Sequence, residues 1–264
     1  MVQRSEIRAW RPDVAGIREV FYAHFTDHAY PSHTHDAWTL LLVDEGAVRY
    51  ELDRHEHGAL RSQVTLLPPN VPHDGRSASA GGFRKRVIYL DASVLGANLV
   101  GAAVDTPALQ DPVLRDRIDR LHHALRGPGQ QWEAASRLAL ICDRLGQHLV
   151  GAVTAPDPRP DPRLAQRLRD LLDERTPVGM NLDEAAAELH AHPTHLVRAF
   201  TQEFGLPPHR YLTGRRVDLA RRLLLAGQPA AEVATAVGFY DQAHLTRHFS
   251  KMLGTTPGRY QRVG

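Results

Sequence analysis

Three histidines and a pair of arginines carry the chemistry that this sequence could do. His33 and His35 stand two apart in SHTHDAW, so on a strand both imidazoles would face one side. His73 arrives later, from the turn PPNVPH. Three neutral imidazoles can hold a divalent metal, with water completing the shell. They can equally line a pocket for an organic ligand without any metal. Arg198 and Arg247 occupy matched positions in a repeated segment, and arginine pairs bidentately with guanine in the major groove.

Other chemistries find no support. Cys142 is the single cysteine, so no intrachain disulfide or thiolate zinc site can form. There is no Walker loop, nucleophile elbow or pair of catalytic carboxylates. MVQRSEIRAWRPD has no apolar signal core and no stretch approaches a membrane span, so a cytoplasmic protein without membrane contact is expected. The formal net charge is only +2, but from Pro208 onward nine Arg and Lys face three acids, a local excess of +6. That is the footprint of a phosphate-binding surface.

The arginines are positioned by one helical unit written twice between Asn181 and Arg262. LDEAAAELHAHPTHLVRAFTQEFG is the first copy and AAEVATAVGFYDQAHLTRHFSKMLG the second. His195, Leu196, Arg198, Phe200 and Gly205 recur as His244, Leu245, Arg247, Phe249 and Gly254. Each copy has helix-turn-helix grammar: a small residue (Ala186, Ala234) for close crossing, a tight turn, then Pro193 or Asp241 opening a second helix. The turn of the second copy is one residue longer and carries Gly238. Leucine and phenylalanine four apart define the buried face of each second helix. The opposite faces present Thr194, Arg198 and Gln202, and Gln242, Thr246, Arg247 and Lys251, as candidate contacts to bases and phosphates. Between the copies, PHRYLTGRRVDLARRLLLAG reads as a helical spacer of about 27 Å.

These motifs, with RRVDLARRLLLAG, VATAVGFYDQAHLTRHF and the closing GTTPGRY, resemble the AraC-type transcription regulators over roughly Arg163 to Arg262. The resemblance implies binding to double-stranded promoter or operator DNA. Activation by recruiting RNA polymerase is the family's usual mode, with repression as the other. The chain departs from the pattern at His190, which takes a turn position that is usually glycine. Val197 and Ala243 stand where longer base-reading side chains often occur.

Ahead of this lies a β-rich half. IREVFYAHF, WTLLLVDEG, AVRYELD, VTLLPP and FRKRVIYLD are short apolar runs separated by turn residues, which predicts a barrel or double-sheet jelly roll. The stretch from Tyr22 to Asp91 resembles the small cupin barrel that serves as sensor in many AraC-type proteins. In metal-binding cupins a carboxylate joins the histidines; here no glutamate stands in that place, and Asp36 would point away if His35 points in. The expected ligand pocket is therefore lined by His33, His35, Trp38, Tyr50 and His73, with no cofactor. Helical periodicity follows from Asp111 to Val150, through Leu114, Ile118, Leu121 and Leu125, then Leu138, Ile141, Leu145 and Leu149. The resemblance gives such helices the contact of a homodimer; amphipathicity alone allows packing on their own barrel.

The expected protein has two domains: an N-terminal small β-barrel, a cupin-like jelly roll with added helices (1–150), and a C-terminal all-α tandem helix-turn-helix domain (163–264). A proline-rich linker (151–162) joins them. The reading is a sequence-specific DNA-binding regulator, not an enzyme, controlled by a small-molecule effector in the barrel. Two alternatives use His33, His35 and His73 instead: a metal-sensing regulator, and a metal-dependent cupin enzyme.

Overall fold

The computed structural model describes residues 6–26, 28–151 and 160–263. The N-terminal half is built on ten strands: β1 (Glu6–Trp10), β2 (Ile17–Phe25), β3 (Ala29–His33), β4 (Ala37–Glu45), β5 (Val48–Leu52), β6 (His55–Ala59), β7 (Val64–Leu67), β8 (His73–Ser77), β9 (Phe83–Asp91) and β10 (Ala108–Leu109). They form a six-stranded sheet ordered β1-β2-β9-β4-β7-β10 and a four-stranded sheet ordered β3-β8-β5-β6. All pairings are antiparallel. The two sheets are not closed into a barrel, so of the two expected forms the jelly roll is the one built.

Residues two apart on a strand share a face, and here both faces of the larger sheet are apolar. Leu41, Val43, Phe83 and Val87 turn toward the second sheet and meet Val48, Tyr50, Leu52 and Ala59. Trp38, Leu40, Leu42, Ile88 and Leu90 turn the other way and are completely buried. Two helices follow a short one, α1 (Val100–Asp105): α2 (Pro112–Ala124) and α3 (Gln131–Leu149). Arg115 ties α2 to the sheet by donating to the carbonyls of Gln63 and Val43, while Arg86 of β9 binds Asp119 at 2.7 Å. Leu114, Ile118, Leu121, Leu138, Ile141 and Leu145 are all buried within the chain itself. These positions of α2 and α3 are thus spent on internal packing.

The C-terminal half is helical. α4 (Pro162–Glu174) starts at Asp161, whose carboxylate accepts from the Leu164 amide. α5 (Leu182–Glu188) begins with a reciprocal capping box between Asn181 and Glu184. Then come α6 (Pro193–Phe204), α7 (Pro208–Leu225), α8 (Ala230–Ala236), α9 (Gln242–Leu253) and α10 (Pro257–Val263). The pairs α5–α6 and α8–α9 are the two helix-turn-helix units, with Ala186 and Ala234 buried as the close crossing requires. Their turns hold residues 189–192 and 237–241, so the second is longer by one. Leu212 of α7 joins the core of the first unit, and Val217, Ala220 and Leu224 join that of the second. One rigid helix therefore carries both.

By internal contacts the chain divides into two compact units. Of the described residues, one holds those up to Asp119 and those from Ile141 to Gly151; the other holds Arg120–Leu140 and those from Pro160 onward. The proline-rich linker falls mostly outside the described residues. No described helix is long and apolar enough to cross a membrane.

Candidate functional site

The three histidines converge, though not by the route that alternation suggests. His33 ends β3 and is paired in register with His73, the first residue of β8. His35 lies beyond the end of β3, in the break before β4 starts at Ala37. Even so, the Nε2 atoms of His33 and His35 are 3.2 Å apart, and ligating nitrogens of all three rings lie within 4.8 Å of one another. The Nδ1–H of His33 donates to the Pro31 carbonyl at 2.7 Å, and that of His73 to the Val71 carbonyl at 3.0 Å. Both rings are thereby held in the tautomer that leaves the Nε2 lone pair open, which is how second-shell carbonyls orient imidazole ligands. The donor set fits three positions of a divalent-cation site.

These rings open onto a cavity of about 90 Å³ between the two sheets, with Tyr50 in its wall. Trp38 is not among the lining residues. Thr39 and Leu41 face the cavity, so by strand alternation Trp38 takes the opposite face, fully buried, its indole N–H donating to the Ala92 carbonyl at 3.3 Å. Sequence reasoning missed Tyr30, Thr39, Lys85 and Tyr89, all of which line the cavity. The signal was present in FRKRVIYLD: Lys85, Val87 and Tyr89 alternate, so one inward residue brings the other two.

The cavity is lined by three imidazoles, two further phenols, one ammonium and the carboxylate of Asp74. Burial lowers the Lys85 ammonium to a pKa of about 8, and its Nζ lies 4.1 Å from the centre of the Tyr30 ring. Burial, followed by the repulsion of His73 and His33, brings His35 down to about 4, and burial lowers His73 as well. Burial drives the phenols the other way, Tyr89 to about 12 and Tyr30 well above its ordinary value. The Tyr30 hydroxyl and Thr39 Oγ1 are buried without a hydrogen-bond partner among the described residues. Asp36 points outward to Arg18 at 2.7 Å, and Asp74 accepts from the Glu51 amide at 2.6 Å. Buried polar groups left unpaired by the fold are what a polar ligand satisfies.

The second set of candidates sits on α6 and α9. His192 caps α6 through Nδ1, and Asp241 caps α9 by accepting from the His244 amide at 2.6 Å. Gln202, Gln242, Arg247 and Lys251 are exposed, while Arg198 and Thr246 are half-buried. Thr246 returns its hydroxyl to the Gln242 carbonyl at 2.8 Å. Thr194 differs: it is only 7% exposed, and its hydroxyl donates to the Ala139 carbonyl at 3.2 Å. Val197 is completely buried. His190 adopts φ 51°, so the departure from glycine leaves the left-handed turn in place. Gly238 takes φ 85° at the equivalent turn, where a Cβ would meet the Arg216 guanidinium at 3.0 Å.

The chain matches two family descriptions in tandem: an AraC-like ligand binding domain over residues 16–142 and a helix-turn-helix domain over residues 185–263. It is 36% identical over 63 residues to the probable transcriptional regulator LumQ of Photobacterium leiognathi, covering 24% of this chain and 25% of that one. It is 29% identical over 106 residues to the HTH-type transcriptional regulator MtrA of Neisseria gonorrhoeae, covering 39% and 35%. The matches to these two thus span about a quarter and about a third of their lengths. A longer match, 21% identical over 228 residues, covers 82% of this chain and 81% of the uncharacterized HTH-type transcriptional regulator YbfI of Bacillus subtilis (strain 168). With a sensor-type ligand-binding domain followed by two helix-turn-helix units on one connecting helix, the chain belongs to the AraC-type transcription regulators.

Proposed function

We propose that this regulator reads operator DNA with both recognition helices of one chain, and that a small polar molecule in the histidine cavity controls the reading. The observation that carries the first part is α7. Its 18 residues span about 27 Å, rigidly joined to the cores of both units, against about 34 Å between successive major grooves on one face of DNA. Two adjacent grooves are therefore within reach of one chain. Arg198 and Arg247 are the candidate guanine readers; Gln202, Gln242, Thr246 and Lys251 flank them.

The second part rests on the cavity. Among the described residues, an ammonium without a carboxylate partner, three imidazoles and unpaired hydroxyls favour a ligand with negative or strongly polar oxygens. The converging Nε2 atoms of His33, His35 and His73 support a second reading, in which a divalent cation is the effector. Metal content of the purified protein separates the two: a protein that binds its operator with no metal, and gains nothing from added Zn²⁺, removes the second.

The test is fluorescence anisotropy on the DNA upstream of the protein's own coding region against scrambled DNA, across salt. A preference that Arg198→Ala or Arg247→Ala reduces by about 1–3 kcal/mol per lost base contact is the expected result. No binding to any duplex at low salt would overturn the reading.

A further inference from the structure

The ends of α6 and α9 that would meet base edges already have an occupant. Recognition helices contact bases mainly through their N-terminal residues. At the start of α6, Thr194 donates to the carbonyl of Ala139 in α3 and is thereby buried. Trp132, Ala135 and Ala139 of the same helix lie against the core of the first helix-turn-helix, and the Trp132 indole N–H donates to the Met180 carbonyl. At the start of α9, the His244 ring lies so close to Gly129 that a Cβ there would come within 2.3 Å of Nδ1. Gly127 lies beside Arg247, whose Nη1 would be 3.9 Å from a Cβ at that glycine. Residues 120–140 belong to the same compact unit as both helix-turn-helix motifs.

One short segment, Gly127 to Ala139, therefore abuts both DNA-reading ends. A major groove is about 12 Å wide, and a helix with its side chains is about 10–12 Å across. A groove that admits α6 has no room for α3 packed on its first turn. We propose that Gly127–Ala139 is an intramolecular cap over both recognition helices, which must leave before DNA is read.

The contact is built to be released. It relies on small residues (Gly127, Gly129, Ala135, Ala139) and one aromatic anchor, Trp132. A small cavity lined by Glu133, His209, Arg216, His244 and His248 remains between the cap and the helices beneath it, and His209 Nδ1 is buried there without a partner. A partly satisfied polar interface is weaker than a filled apolar one. α3 is also continuous: from Ile141 its residues are counted with the unit that holds the histidine cavity.

The inference rests on the DNA-binding function proposed above, and one experiment distinguishes the two. The full chain, Trp132→Ala and Ala139→Glu are titrated against a labelled 30-base-pair duplex of random sequence at low salt, with circular dichroism checking the fold. Both variants are expected to bind at least tenfold more tightly than the unaltered chain. Folded variants that bind equally or more weakly overturn the cap while leaving the DNA-binding function intact. No binding by any of the three overturns that function, and the cap with it. A measurement free of destabilising changes is fluorine NMR of the unaltered chain carrying 5-fluorotryptophan, the Trp132 signal assigned from Trp132→Phe. Saturating DNA is expected to move that signal to its solvent-exposed position; a signal that stays in place on the DNA complex overturns the cap.

Discussion

Asp111 and Arg144 form a buried ion pair at 2.7 Å across α2 and α3, with the carboxylate only 4% exposed. The same Oδ2 accepts from His148 at 2.7 Å, and Oδ1 caps α2 by accepting from the Val113 and Leu114 amides at 2.9 and 3.0 Å. These partners outweigh burial and hold the carboxyl well below its ordinary range. Asp111→Ala removes the cap and strands Arg144, so a loss of about 3–5 kcal/mol is expected in urea unfolding. Because the folded pKa is depressed, the carboxylate's contribution is present above the unfolded value near 4 and is lost as pH falls below it. The variant should accordingly show a weaker loss of stability in acid than the unaltered chain.

Lys85 makes the opposite trade. Its half-buried ammonium has no carboxylate partner among the described residues, and the pKa of about 8 records what that burial costs. Lys85→Met should stabilise the protein at pH 7 by about 1–3 kcal/mol, since an unpaired charge is replaced by an apolar chain of similar length. A depressed lysine pKa means that the unfolded chain holds the extra proton between about pH 8 and 10.5, so the gain should shrink as pH rises through that window. Denaturation at pH 7 and pH 10 checks both statements. A residue kept at such a cost is expected to serve the cavity, and the same variant should lose the response of DNA binding to effector.

What could be read from the sequence was set by local rules. Apolar runs between turn residues mark β2 and β9 at Ile17–Phe25 and Phe83–Asp91, and the repeat marks α5, α6, α8 and α9 with their one-residue difference in turn length. Asp241 as a cap followed from the same local chemistry, and the turn position of His190 from the family resemblance. Nonlocal facts were not legible. Strands β3, β6 and β8 lack apolar alternation, being held by pairing with neighbours, as in the register of His33 with His73. Trp38, expected in the pocket, is turned away by the alternation that brings Thr39 and Leu41 into it. Nothing in the helix of Thr194 reveals that Ala139, 55 residues earlier, comes to cover it.

The histidines beneath α3 predict a pH dependence. Burial brings His209 and His244 down to about 4, and lowers His248. The charged groups acting on them are Glu133 and Arg137 from α3, Arg210 and Arg216 from α7, and Asp241, Arg247 and Lys251 around α9. A depressed histidine pKa means that the unfolded chain binds more protons between about pH 4 and 6.5, so stability is complete above that window and falls as pH drops through it. His209 and His244 should each contribute a loss of about 1–2 kcal/mol between pH 7 and pH 5. Urea unfolding of the unaltered chain and of the His209→Gln, His244→Gln double variant checks this: the variant should lose much less over the same range.

The turn of the first helix-turn-helix offers a last test. His190 is exposed and sits at φ 51°, where a side chain costs about 1–2 kcal/mol and glycine costs almost nothing sterically. His190→Gly relieves that strain but gives the unfolded chain more freedom, worth about 0.4–1 kcal/mol, so the net gain should be about 0.5 kcal/mol. His190→Val places a β-branched residue in the same backbone region and should lose about 1–2 kcal/mol. The ordering Gly above His above Val in melting temperature is the expected outcome. Since the side chain reaches neither core nor cavity, a gain for valine would mean that the turn is not left-handed, and that α6 leaves α5 at another angle.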